Sequence, residues 1–243
     1  MTQSQPAPIG AVLFDLFHTL VDMSSAPPDT ATHDLLGVSA EAWAEQIFYH
    51  APHHALGTET DPYDSVRQIA HAIDPTIPEE RIRRAVDARP LRFRAALLNV
   101  RPAILDAIGR LRALGLKIGL ISNAGLDEVE AWEESPLAPL FDVVLFSCHE
   151  GVMKPDREIY QRAASRLGLP PERCLFVGDG GSHEHEGARA AGMTTLLALW
   201  LLHEADPQLA RKRKRVTDYV ADTVEEMMEV ARSLRDGQGS GEK

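Results

Sequence analysis

The sequence holds very little cysteine: Cys148 and Cys174 are the only two in 243 residues. Each stands beside an apolar run that reads as a buried strand, and no metal-type spacing links them. That pattern argues against a disulfide scaffold and for a reducing compartment. Long apolar runs are missing too, since none approaches the roughly 20 residues needed to cross a bilayer. The first residues are polar and include proline, so no signal peptide is read and a cytoplasmic location is expected. Positive charge is scarce: 25 Lys and Arg face 36 Asp and Glu, a formal net charge of −11. Nucleic acid and anionic membrane surfaces repel such a chain. The run Arg211-Lys212-Arg213-Lys214-Arg215, beside an acidic helix, is expected to be a solvated face.

What is present is an ordinary apolar share, 44%, enough for a core without staples. Ile9 to Phe14 is a short apolar run ending on Asp15, the pattern of a fully buried strand. From about Met23 to Leu97 the character is helical and polar, with Trp43, Phe48, Tyr49 and Tyr63. Pro27, Pro28, Pro52, Pro62, Pro75, Pro78 and Pro90 are expected to divide it into several helices.

From Arg101 onward strands and helices alternate. Pro102 opens a helix with Ile104, Ile108, Leu111 and Leu114 at helical spacing, which Gly115 stops. A strand from Lys117 to Ile121 ends on Ser122-Asn123. A helix through Val129 and Trp132 leads to a strand from Asp142 to Phe146. Asp156 caps a helix through Ile159, Ala163 and Leu167, ended by Gly168. The strand Cys174 to Val177 ends on Gly178-Asp179, and a helix through Ala188 and Ala191 follows. Strands at Thr194 to Leu197 and near Tyr219 to Ala221 precede a last helix, Val224 to Leu234.

This alternation predicts an α/β fold, a Rossmann-like parallel sheet with helices on both faces and an inserted α-helical cap domain. The core falls at 9–22 and 98–235, the cap at 23–97, and flexible termini at 1–8 and 236–243. In such sheets ligands bind at the carboxyl ends of the strands. Asp15, Ser122 and Asp179 each follow a strand directly, so they are expected to meet at one edge under the insert. Together with Lys154 and Asn123 they supply what an oxyanion needs: a cation, donors and an in-line nucleophile.

Asp15-Leu16-Phe17-His18-Thr19-Leu20 resembles the first motif of the haloacid dehalogenase superfamily, which in phosphatases usually runs Asp-x-Asp-Gly-Thr-Leu. Ile121-Ser122-Asn123 resembles its second motif, Lys154-Pro155 with Tyr160 the third, and Gly178-Asp179 with Glu184 and Gly187-Ala188 the fourth. The insert is placed as the helical cap of the first subclass. The resemblance implies that Asp15 forms a covalent aspartyl intermediate. It implies Mg²⁺ held by Asp15, the Phe17 carbonyl and Asp179, with Glu184 reaching the metal through water or orienting Lys154. Ser122 and Lys154 would be catalytic, and Thr19, Ser122, Asn123 and Lys154 would bind a small phosphorylated metabolite.

Two positions depart from the phosphatase pattern. Phe17 stands where the second Asp serves as general acid and base, and His18 replaces the usual Gly. Phe17 cannot transfer a proton. A 2-haloacid dehalogenase, whose halide leaves unprotonated, tolerates that loss; a family member that binds a ligand or partner without turnover tolerates it too. Asp179 and Glu184 lean the other way. Without a metal they would repel an anionic haloacid, whereas with Mg²⁺ they favour phosphate. Among the histidines, His18 is a candidate substitute acid. His50, His53 and His54 read as a surface cap loop, because Pro52 breaks their helical face and no acid completes a ligand set. His183 and His185 would point apart on a helix.

Overall fold

The computed structural model describes residues 7–59, 61–202, 213 and 217–237, without the side chains of residues 48–51. Most of both termini, His50 and all of the basic run except Arg213 therefore lie outside the described side chains. Six strands form one parallel sheet: β1 (Ala11–Phe14), β2 (Lys117–Ser122), β3 (Val143–Phe146), β4 (Cys174–Gly178), β5 (Thr194–Ala198) and β6 (Tyr219–Ala221). Their order is β3-β2-β1-β4-β5-β6.

The side-chain period of two explains why both faces are covered. Val12 and Phe14 point into a core with Ile104, Ile108 and Leu111 of the helix Pro102–Ala113 and with Met227 and Ala231 of the helix Val224–Arg235. Ala11 and Leu13 point the other way, onto Tyr160 and Ala163 of the helix Arg157–Arg166 and Ala188 of the helix Glu184–Ala191. Local chemistry sets the helix ends. The Asp156 carboxylate accepts from the Glu158 N–H at 2.9 Å, and Gly115 and Gly168 take the left-handed φ values of 81° and 69° that close the preceding helices.

The topology positions the site. From β1 the sheet grows outward to β2 and β3, then restarts on the other side of β1 with β4, β5 and β6. Phe14 pairs with Leu120 on one side and Val177 on the other. The carboxyl ends of β1, β2 and β4 therefore meet at the reversal of strand order, where open α/β sheets bind ligands.

Between β1 and the sheet's second strand come α1 (Thr32–Leu36), α2 (Ala40–Ala55), α3 (Pro62–Ile73) and α4 (Glu79–Leu98). These helices bury Leu36, Val66, Ala70, Ile77, Ile82 and Ala85 in a core of their own. The prolines only partly divide them. Pro62 opens α3 and Pro78 caps α4, but Pro52 and Pro90 lie inside α2 and α4. Pro52 falls in the last turn, where few helical bonds remain to be lost. Pro90 is held by tertiary contacts on either side. Arg89 donates to Asp127 (2.7 Å) and Glu128 (2.6 Å), and the Phe93 ring meets the Phe17 ring edge-on at 5.3 Å. The expected helix through Val129 and Trp132 is also broken, into one turn at Leu126–Val129 and a 3₁₀ turn at Trp132–Glu134. Trp132 instead turns into the core against Phe141 and Phe146.

Arg89 is 3% exposed and docks the insert onto the core. Arg89→Met should lower unfolding stability by about 3–5 kcal/mol in urea titration, because the buried Asp127 and the half-buried Glu128 lose their cation. Arg94→Met, which breaks an exposed pair with Glu134, should leave the urea midpoint in place. Equal effects would show that the seam is not held by buried charge.

Candidate active site

Asp15 leaves the end of β1 with its N–H donating to the Val177 carbonyl at 2.9 Å. Its carboxylate is buried and points toward Lys154, whose Nζ donates to Oδ1, while the Thr19 hydroxyl donates to Oδ2 at 3.1 Å. Trp200 in turn donates its indole N–H to the Thr19 carbonyl at 2.8 Å and anchors the nucleophile loop. His18, in that loop, is exposed and takes a left-handed φ of 63°, the conformation that a glycine would adopt without strain.

Lys154 is buried and lies between two acids. Nζ also donates to Glu184 Oε2 at 2.6 Å, and Glu184 Oε1 accepts the Gly180 N–H at 2.7 Å. A side chain at Gly178 would come within 2.2 Å of that carboxylate, so glycine is required for Glu184 to enter. Asn123 grips the Lys154 backbone twice at 2.8 Å, donating from Nδ2 to its carbonyl and accepting its N–H at Oδ1. Asn123 thus meets the site through Lys154. Tyr160 is core: its ring packs edge-on to Phe176 at 5.4 Å and its hydroxyl donates to the Glu184 carbonyl at 2.7 Å.

At the end of β4, Asp179 accepts the Gly181 N–H at 3.0 Å. Its other oxygen is paired with Arg213, which also donates to the Asp179 carbonyl at 2.9 Å. Arg213 belongs to the run expected to be a solvated face. That expectation fails for it, because the guanidinium turns inward onto a buried carboxylate; nothing in a run of alternating Arg and Lys marks which one does so. Ser122 completes the edge. Its hydroxyl is buried and, among the described residues, has no hydrogen-bond partner.

The electrostatics follow from burial. Desolvation raises the Glu184 carboxyl from 4.5 to about 8 against the pull of Lys154, and it raises Asp15 in the same way. Asp179 moves down: burial opposes ionisation, but Arg213 and the Gly181 N–H outweigh it. Desolvation opposes the Lys154 charge, yet Asp15 and Glu184 hold the ammonium protonated far above its usual range. Oxygens of Asp15, Asp179 and Glu184 lie within 4.8 Å of one another. These hard oxygen donors have the chemistry that suits Mg²⁺.

The edge opens into a cavity of about 750 Å³, with Asp15, Phe17, Lys154 and Asp179 on the core side and Ile47 and His54 on the insert side. His54 was expected on a surface loop without acids. It is instead half-buried, with Nε2 3.0 Å from Asp127 Oδ1. The acid comes from far along the chain, and α2 continues through Pro52, so local sequence could not pair them. Cys148 and Cys174 are free and buried, with burial raising their thiols to about 11 and about 12. Among the described residues, no helix is long and apolar enough to cross a membrane.

The haloacid dehalogenase-like hydrolase family matches residues 9–192, and the chain belongs to it. A glyceraldehyde 3-phosphate phosphatase of Methanopyrus kandleri is 32% identical over 57% of this chain, a match that spans 59% of that relative's length. The L-2-haloacid dehalogenase of Xanthobacter autotrophicus shares the fold at a TM-score of 0.64, with 20% identity over 92% of this chain and 98% of that one. A family enzyme of Bacteroides thetaiotaomicron, solved with magnesium and inorganic phosphate, has a TM-score of 0.56 and 15% identity over 78% and 94% of the two chains.

Because Glu184 is raised, the folded chain keeps a proton that the unfolded chain has lost between pH 4.5 and about 8. Stability should therefore fall as pH rises through that window. In magnesium-free buffer, calorimetric melting temperatures should decline across it, and Glu184→Gln should flatten the decline. An unchanged slope in the variant would remove Glu184 as its source.

Proposed function

We propose that this chain is a magnesium-dependent phosphatase that hydrolyses a small phosphorylated metabolite through an aspartyl phosphate at Asp15. One observation carries the reading: hard oxygens of Asp15, Asp179 and Glu184 lie within 4.8 Å of one another, beside a Lys154 that donates to Asp15 and Glu184. Such an oxygen set favours a hard divalent cation, and that cation together with Lys154 favours a phosphate. The phosphatase named above and the magnesium and phosphate bound in the Bacteroides enzyme support it.

Residues 23–97 act as the cap and residues 9–22 and 98–235 as the catalytic core. Asp15 attacks phosphorus, the bond to the leaving oxygen breaks, and water then hydrolyses the acyl phosphate. Lys154 and the Ser122 hydroxyl hold the transferring group, Thr19 fixes the Asp15 oxygen that Lys154 does not reach, and Asn123 positions Lys154. Asp15, the Phe17 carbonyl and Asp179 would hold Mg²⁺, whose positive charge would offset the negative charge of the phosphoryl oxygens. Glu184, with both oxygens engaged by Lys154 and Gly180, serves chiefly to orient Lys154. Phe17 favours a second reading, hydrolytic dehalogenation of a 2-haloacid, because halide leaves without a proton.

Assays on 4-nitrophenyl phosphate and chloroacetate, each with Mg²⁺ and with chelator, separate the two. Phosphate release that needs Mg²⁺ and falls to background in Asp15→Asn is the expected result. Chelator-resistant halide release would replace this proposal with the second reading.

A further inference from the structure

A phosphatase built on this site lacks a proton donor, since Phe17 occupies the position that usually carries one. We infer that His54 supplies it, as the general acid and base of the reaction; the inference rests on the phosphatase reading above.

His54 lies in the last turn of α2, on the insert's wall of the same cavity that holds Asp15. Its Nε2 stands 3.0 Å from Asp127 Oδ1, an ion-pair contact not aligned as a hydrogen bond. The ring lies over Gly125, where a side chain would come within 1.8 Å of Nε2, so the ring approaches only because glycine is there. Asp127 is itself fixed by Arg89, which donates to Oδ2 at 2.7 Å. The other nitrogen, Nδ1, has no hydrogen bond among the described residues. A carboxylate against one imidazole nitrogen, with the other nitrogen without a partner among the described residues, is the pairing that general-base histidines use.

The charged groups facing His54 are Asp127 and Glu128 from the turn after β2, and Arg89 from α4 reaches both acids. Burial favours protonation of Asp127, but His54 and Arg89 outweigh it and keep the carboxyl ionised. His54, Asp127 and Glu128 could be taken for a metal site. Arg89 already occupies one oxygen of each acid and offsets one of their two negative charges, and an imidazolium at His54 offsets the other. His18 and His183 line the same cavity; His18 sits toward Asp179 and acts on its charge, on the side where a cation would bind.

The same contacts explain why Phe17 is tolerated. Its ring packs on Phe93, the Arg89 guanidinium lies 5.1 Å from the centre of the Phe93 ring, and Arg89 fixes Asp127. The aromatic that displaces one acid thereby helps position another. In the first half-reaction an Asp15 oxygen bonds to phosphorus and the bond to the leaving oxygen breaks. Nδ1–H of the imidazolium gives that oxygen its proton, leaving alcohol and neutral imidazole. In the second, water attacks phosphorus, its proton passes to Nδ1, and the bond to Asp15 breaks. Carboxylate, phosphate and imidazolium are restored.

A proton donor matters most when the leaving group is poor. With Mg²⁺ present, kcat/KM of His54→Gln should fall by about 10²-fold or more on phenyl phosphate and far less on 4-nitrophenyl phosphate. Asp127→Asn should follow the same pattern with a smaller loss. If His54→Gln does not fold, the wild-type pH profile carries the test: a basic limb is expected with phenyl phosphate and should be absent or weak with 4-nitrophenyl phosphate. Equal losses on the two esters overturn the inference. So does a leaving-group-dependent loss in His18→Ala but not in His54→Gln. A wild-type chain inert on both esters rejects the phosphatase reading itself, and this inference with it.

Discussion

A single buried ammonium organises the site. Lys154 Nζ donates to Asp15 and to Glu184, and so ties the end of β1 to the helix that follows β4. Removing any one partner would leave a buried charge uncompensated, and each member is held by further bonds. Asn123 grips the Lys154 backbone, Gly180 and Tyr160 hold Glu184, and Thr19 holds the second Asp15 oxygen. The parallel sheet is what allows this, since its strand order brings three carboxyl ends together.

The second constraint is the seam between insert and core. It is polar where Arg89 meets Asp127 and Glu128, and aromatic where Phe93 meets Phe17. Phe17 belongs to the nucleophile loop, so docking of the insert and placement of Asp15 depend on neighbouring residues of one short segment. The cavity between them has walls from both parts, and its insert side carries the groups that would meet a leaving group.

Much of this was legible in the sequence, and the limits are physical. Short apolar runs ending on Asp15, Ser122 and Asp179 announced buried strands and their shared edge, because period and topology are local and general rules. Asp156, Gly115 and Gly168 marked helix ends for the same reason. Pro52 and Pro90 misled, because a local breaker was overridden by its place in the last turn or by tertiary contacts. Trp132 left its helix because the core offered aromatic partners. Arg213 and His54 were misjudged because their partners, Asp179 and Asp127, are fixed only by the fold. Glu184 stood between two roles, and its two hydrogen-bonded oxygens favour the orienting one.

The central claim is that Asp15, poised by Lys154, becomes covalently phosphorylated. Borohydride quenching during turnover of a phosphate ester, followed by peptide mass spectrometry, addresses it directly, because reduction of an aspartyl phosphate leaves homoserine in place of the aspartate. The account predicts that change at position 15 only when ester and Mg²⁺ are both present. Steady turnover with Asp15 unmodified at every quench time would contradict it.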